Sequence, residues 1–140
     1  MAVALSCQNW HTQSVLARPK PLVWVGSAKE DLKTFPEEVR RVMGYALFLA
    51  QTGGKHPDAK PLKGLGGRGV LEVVDNYDGN AYRAIYTIKF EGAVYVLHAF
   101  QKKSKTGIKT PKQEIDMVRK RLSRAKEIHE GRRKGASDEE

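Results

Sequence analysis

The sequence predicts an α+β domain in which helices cover a small, mainly antiparallel sheet. Three strand-like segments follow one another at 70–77, 81–90 and 93–100, joined by links of two or three residues. Links this short reverse the chain, so neighbouring strands pair antiparallel. Apolar stripes with helical spacing precede and follow these strands. The predicted order is therefore strand, helix, helix, strand, strand, strand, helix, within a single domain.

The N-terminal part of the chain predicts an extension, one strand and two helices. Residues 1–19 have no clear periodicity, and we expect them to be a poorly ordered extension. The run PLVWVG (21–26) is typical of a strand. Capping signatures beginning at Ser27 and Thr34 predict two helices, the second ending at Gly53. That second helix carries an apolar stripe: Val39, Val42, Met43, Ala46, Leu49 and Ala50.

The C-terminal part predicts a loop, the three strands and a last helix. Residues 54–69 are rich in Gly and Pro and indicate a loop of functional length. In the strand at 81–90, alternation predicts that Tyr82, Ala84, Tyr86, Ile88 and Phe90 face the core, and we expect helices over that one face. A capping signature at Thr110 opens a helix with an apolar stripe. We expect the domain to span 20–130, followed by a polar tail at 131–140.

Composition places the chain among soluble globular proteins. It has 140 residues, of which 40% are hydrophobic and 29% charged. Its single cysteine, Cys7, suits a reducing compartment, and no apolar run is long enough to cross a bilayer. We therefore expect a cytoplasmic protein that does not associate with a membrane.

Positive charge is concentrated after the last predicted strand. The net charge is +9, and residues 101–134 carry 13 Lys and Arg against 4 Asp and Glu. Within LHAFQKKSKTGIKTP (97–111), four lysines occur without a carboxylate: Lys102, Lys103, Lys105 and Lys109. A basic block is usually a solvated face. Repulsion between close like charges also favours an anionic partner, and nucleic acid is the natural one.

The residues that could carry chemistry are basic side chains and one histidine. The sequence contains no metal-binding or nucleotide-binding motif, so an enzyme of this sequence would use side chains alone. Arg83 either pairs with Glu72 on the neighbouring strand or clamps a phosphate with its planar guanidinium. His98 is either a packed, hydrogen-bonded residue or a proton carrier beside the lysines. The loop before the second strand adds three basic residues that matter only if it folds over the same face: Lys60, Lys63 and Arg68.

Three segments together resemble a known protein family. They are KPLVWVGSAKEDLKTFPEEVR, GYALFLAQTGGKHPDAKPLKGLGGRGVLEVVD and YRAIYTIKFEGAVYVLHAFQKKSKTGIKTPKQEID, and the resemblance as a whole covers about residues 20–128. They resemble the phage-derived HigB-like toxins of the RelE/ParE superfamily. The resemblance implies a small sheet with an N-terminal helical hairpin and a C-terminal helix. It also implies the toxin half of a type II toxin–antitoxin pair.

The resemblance further implies a reaction and the residues that perform it. Such toxins enter the ribosomal A site and cleave mRNA without a metal or cofactor, leaving a cyclic phosphate and a 5′-hydroxyl. Arg83 matches the family's phosphate-binding arginine, and Lys102 and Lys103 match the basic residues just after the last strand. His98 is the nearest candidate for proton transfer, and the general base and acid stay unassigned. The remaining basic residues are expected to bind RNA: Lys60, Lys63, Arg68, Lys105 and Lys109.

The expected partners are the ribosome, mRNA and an antitoxin. The antitoxin would be a small helix-turn-helix protein that forms a hetero-oligomer with the toxin. It would either cover the basic surface or block ribosome entry sterically, and we favour steric blocking because family members often bind antitoxin through the N-terminal helices. Two other functions stay open at this point. A ParE-like toxin would poison gyrase, which the fold alone does not distinguish. A non-catalytic nucleic-acid-binding module would explain the charge without any turnover.

Overall fold

A computed structural model describes residues 19–63, 65, 69–103 and 111–138, and their side chains except those of 103 and 134–138. The predicted extension at 1–19 lies outside the described residues apart from position 19. The helices are α1 (Ala28–Lys33), α2 (Glu37–Gln51) and α3 (Lys112–Asp138). The strands are listed in chain order: β1 (Leu22–Trp24), β2 (Ala59–Pro61), β3 (Val70–Tyr77), β4 (Asn80–Thr87) and β5 (Val94–Lys103).

The five strands form one mixed sheet in the order β1-β5-β4-β3-β2. β3, β4 and β5 pair antiparallel as consecutive neighbours, as the short links predict. β1 lies parallel to β5, and the intervening α1, α2 and three strands provide the long connection that parallel pairing requires. The α+β class and the mainly antiparallel sheet are confirmed.

Both faces of the sheet are covered, and the expectation of a single covered face is wrong. α1 and α2, joined by residues 34–36, pack on one face in a core cluster that includes Met43, Tyr82 and Tyr86. α3 packs on the other face, where Val118 and Ala125 meet Ile85. Burial on both faces explains why every described side chain from 81 to 87 in β4 is buried.

The strand ends differ from the predicted ones. β4 ends at Thr87, so Ile88 leaves the sheet and is 45% exposed, and Phe90 packs in the α3 cluster. The prediction that these two residues continue the core face of β4 is therefore wrong. β5 continues to Lys103, three residues further than predicted. The predicted loop at 54–69 contains the short strand β2, which pairs with β3.

The helix boundaries follow the glycine signal better than the capping signals. α2 ends at Gln51, and Gly53 follows in the left-handed region with φ of 90°. Ser27 precedes α1 but makes no capping bond to the backbone, and its Oγ donates to the Asp31 carboxylate at 2.8 Å. Thr34 belongs to the end of α1 rather than the start of α2. None of the helices in the described ranges is long and apolar enough to cross a membrane.

Candidate active site on the basic sheet face

The face of the sheet that α3 partly covers carries most of the described site candidates. Directly opposed residues of antiparallel strands point to the same face. The register pairs Lys60 with Glu72, and Glu72 with Ile85, whose side chain packs against α3. Arg83 lies two residues from Ile85 and therefore shares its face. We call this surface the basic face and define it by five residues: Lys60, Glu72, Arg83, Phe100 and Lys102.

Arg83 forms a buried ion pair with Glu72. The Arg83 Nη1 donates to Glu72 Oε2 at 2.7 Å, and the two side chains are 4% and 14% exposed. The two residues sit diagonally across the β3–β4 pair, since Arg83 opposes Val74 and Glu72 opposes Ile85. This arrangement confirms the predicted salt bridge. It also holds the guanidinium in one orientation, because a buried charged pair resists rearrangement.

Lys102 and Lys103 are the last two residues of β5, so their placement just after the strand is wrong. Lys102 opposes Ala81 and is diagonal to Arg83, which opposes Phe100. A small residue opposite a lysine leaves space for its long stem, and diagonal neighbours lie within reach of long side chains. The strand therefore fixes the backbone and Cβ of Lys102 more firmly than a loop would.

His98 lies two residues before Phe100 in β5, on the same sheet face. It opposes Ile85 and is 7% exposed. Its Nε2 is 2.6 Å from Glu114 Oε1, and its Nδ1 is 3.3 Å from Arg121 Nη1. The imidazole also stacks on Phe100, with ring centroids 5.0 Å apart. Both ring nitrogens thus have protein partners, which ties His98 to α3.

The other basic candidates are spread around this face. Lys60 opposes Glu72 in β2 and is exposed, and Lys63 is exposed just beyond that strand. Arg68, Lys105 and Lys109 lie outside the described residues, as does the side chain of Lys103. Within the described ranges, no three His, Cys, Asp or Glu side chains come together in a way that could hold a metal ion.

The opposite sheet face carries an acidic group at its edge. Asp75 opposes Tyr82, which belongs to the cluster under α1 and α2. Burial raises the pKa of Asp75, the Asp58 and Glu38 carboxylates raise it further, and His56 lowers it. The carboxylates of Asp75, Asp58 and Glu38 therefore lie close enough to interact, with Asp75 on the sheet face opposite to Arg83.

Sequence reasoning missed Glu114 and Arg121, which contact His98 from α3. They are seven residues apart, so two helical turns place them on one side of α3. That side borders the apolar stripe containing Val118 and Leu122. A glutamate and an arginine flanking a buried stripe was the available signal.

A family profile described as "Phage derived protein Gp49-like" matches residues 30–123. The match covers most of the chain. The protein belongs to the Gp49-like family. All the basic-face residues lie within the matched range, as do His98, Glu114 and Arg121.

The Gp49-like chain is also similar to solved structures of low sequence identity. One is the toxin–antitoxin complex RelBE2 from Mycobacterium tuberculosis, with 20% identity, a TM-score of 0.43, and coverage of 61% of this chain and 100% of that one. Another is a double arginine-to-alanine mutant of the E. coli toxin RelE in the free state. It has 15% identity, a TM-score of 0.49, and coverage of 76% of this chain and 98% of that one. No curated protein matches the chain significantly.

Proposed function

We propose that this Gp49-like protein is the toxin of a type II toxin–antitoxin system and that it cleaves mRNA on the ribosome in the cytoplasm. The observation that carries the proposal is the guanidinium of Arg83, held by Glu72 on a strand beside Lys102. Fixed cations on a rigid element suit the charge of a phosphorane transition state. The resemblance of the sequence to HigB-like toxins supplies the reaction class.

The proposed reaction is an attack of the RNA 2′-hydroxyl on the adjacent phosphorus. Arg83 and Lys102 stabilise the negative charge that develops on the phosphoryl oxygens, and Lys103 assists them. The exposed Lys60 and Lys63 bind the RNA backbone as it enters. Three further residues of the chain are proposed to hold RNA through their charge: Arg68, Lys105 and Lys109.

A helix-turn-helix antitoxin is the proposed partner, and α2 is its proposed docking site. Tyr45 and Phe48 on this helix are 56% and 49% exposed, which is unusual for large apolar side chains. They lie three residues apart, on the solvent side of α2. A protein docked there would block ribosome entry sterically, without covering the basic face.

The proposal is tested with a defined mRNA incubated with the protein, either alone or on translating ribosomes. We expect cleavage only with ribosomes, and fragments with cyclic-phosphate and 5′-hydroxyl ends. Lys102→Ala should lower the single-turnover rate roughly 100- to 1,000-fold. Lys126→Ala removes the same charge from an exposed site on α3 and should cleave normally.

Two results would contradict the proposal. Intact mRNA under both conditions, with gyrase-dependent DNA breaks instead, would assign the protein to gyrase poisoning. Tight RNA binding without cleavage, in every preparation of the protein, would indicate a non-catalytic RNA-binding module.

A further inference from the structure

The side chains of Glu114, His98 and Arg121 form a hydrogen-bonded triad next to the basic face. Glu114 Oε1 is 2.6 Å from His98 Nε2, and Arg121 Nη1 is 3.3 Å from His98 Nδ1. The histidine comes from β5, and both of its partners come from α3. The triad therefore links β5 to α3, two elements that are in contact only in the folded protein.

Arg121 is held by contacts on three sides. Its Nη1 donates to the Leu97 carbonyl at 3.0 Å, and its Nη2 donates to Ser27 Oγ at 3.1 Å. Leu97 is the extra residue of a β-bulge, because Ile85 opposes His98 while Tyr86 opposes Val96. A bulge residue has no partner in the β4–β5 ladder, and the guanidinium binds its carbonyl.

Gly26 leaves the space that Arg121 occupies. A Cβ atom at position 26 would lie 2.7 Å from Arg121 Nε and 2.9 Å from Cζ, and the residue has φ of 61°. Both the close approach and the left-handed backbone favour glycine. The turn before α1 thus provides the space in which the Arg121 guanidinium lies.

These contacts select one tautomer of His98. A guanidinium can only donate hydrogen bonds, so Nδ1 accepts from Arg121 and carries no proton. The ring proton is then on Nε2 and is donated to the Glu114 carboxylate. His98 in this form orients Glu114 and cannot accept a proton at Nε2.

Within the triad, the Glu114 side chain is more exposed to solvent than that of His98. Its side chain is 30% exposed, whereas that of His98 is 9% exposed. His98 holds Oε1, and the described residues provide no hydrogen-bond donor to Oε2. His98 is a diagonal neighbour of Arg83 on the same sheet face. Glu114 is therefore joined through His98 to the sheet face that carries Arg83, and its second carboxylate oxygen has no donor among the described residues.

We propose that Glu114 is the general base of the cleavage reaction and that His98 and Arg121 are positioning residues, an inference that rests on the proposed function. Glu114 Oε2 takes the proton of the 2′-hydroxyl as O2′ forms a bond to phosphorus. The bond between phosphorus and O5′ breaks, and O5′ takes a proton from the Lys102 ammonium group. The products are a 2′,3′-cyclic phosphate and a 5′-hydroxyl, and solvent restores both side chains.

The test is single-turnover cleavage of ribosome-bound mRNA by Glu114→Gln. The amide oxygen of glutamine still accepts from His98, so the fold is kept while the base is lost. We expect the rate to fall roughly 100- to 10,000-fold, with ribosome binding unchanged within about twofold. Asp116→Asn is the matched control, an exposed carboxylate paired with Arg119 on the same helix, and should cleave at the wild-type rate.

Glu114→Ala with added formate separates catalysis from structure. Formate is a small carboxylate that can occupy the vacated space, so the rate of this variant should rise with formate concentration, whereas the wild-type rate should not. Wild-type cleavage by Glu114→Gln would overturn the inference and leave the proposed function standing. Loss of activity accompanied by a large drop in melting temperature and no response to formate would also overturn it. Failure of the wild-type protein to cleave would instead reject the proposed function.

Discussion

Replacing Arg83 and Glu72 separately and together should separate the role of this pair in stability from its role in the reaction. The proposed variants are Arg83→Met, Glu72→Met and the double variant. Methionine keeps the unbranched stem of both residues and removes only the charged group. The wild-type pair has a 2.7 Å contact between side chains that are 4% and 14% exposed.

Each single variant should be strongly destabilised. Removing one partner of a buried pair leaves the other charge poorly compensated and typically costs about 3–5 kcal/mol. Glu72→Met should cost more than Arg83→Met, because the 4% exposed guanidinium has less access to water than the 14% exposed carboxylate. At roughly 3–4 °C per kcal/mol for a domain of this size, the melting temperature should fall by about 10 °C or more.

The double variant should recover about 2 kcal/mol or more relative to either single variant. An apolar pair of similar volume often replaces a buried ion pair at little cost. Thermal unfolding followed by circular dichroism measures all four proteins under one set of conditions. Losses that simply add in the double variant would refute the reasoning, since independent residues are additive and coupled ones are not.

Cleavage measured on the same proteins decides the role of Arg83. The double variant should be folded and still cleave roughly 100- to 1,000-fold more slowly than the wild type, because the guanidinium is absent from the transition state. Normal cleavage by the stable double variant would remove Arg83 from the active site and leave it a structural residue.

Three further predictions concern the scaffold. Tyr86→Phe should keep or raise stability by about 1 kcal/mol in urea denaturation, because the described residues provide no hydrogen-bond partner for this buried hydroxyl. Burial raises the pKa of Tyr86 above 10.0, so the wild type alone should lose stability from this group as the pH rises beyond that value. Gly26→Ala should destabilise the protein by roughly 1–2 kcal/mol, because residue 26 has a positive φ and Arg121 occupies the space of its Cβ. Gly44 lies in the exposed middle of α2 with open space around its Cβ, so Gly44→Ala should stabilise the protein by about 0.5–1 kcal/mol. The pKa of Asp75 is raised by burial first and by neighbouring carboxylates second, so its ionised form destabilises the folded state, and Asp75→Asn should be more stable than the wild type at pH 7. That difference should shrink as the pH falls toward 3.8, the ordinary pKa of the group, and vanish well below it, where the carboxyl group is protonated in both states.

The sequence by itself determined the class of the fold and the order of its main elements. The short links between the strand-like segments predicted the antiparallel β3–β4–β5 arrangement, and the stripe through Val39 and Met43 predicted the core face of α2. These signals are local, because side-chain periodicity reports which side of an element is buried. The salt bridge between Arg83 and Glu72 was also within reach, since paired strands bring predictable residues together.

Only the tertiary structure decided how the second face of the sheet is used. Periodicity in β4 indicated one core face, yet α3 packs on the other at Ile85, and Arg83 and Thr87 on that face are buried as well. The contacts that fix His98 join residues 16 and 23 positions apart, and Arg121 reaches Ser27 across 94 positions. No local pattern encodes such contacts, because they depend on where a helix docks on a sheet. The physical reason is that burial of the apolar stripe of α3 sets the position of that helix, and its polar neighbours Glu114 and Arg121 are carried to β5 with it.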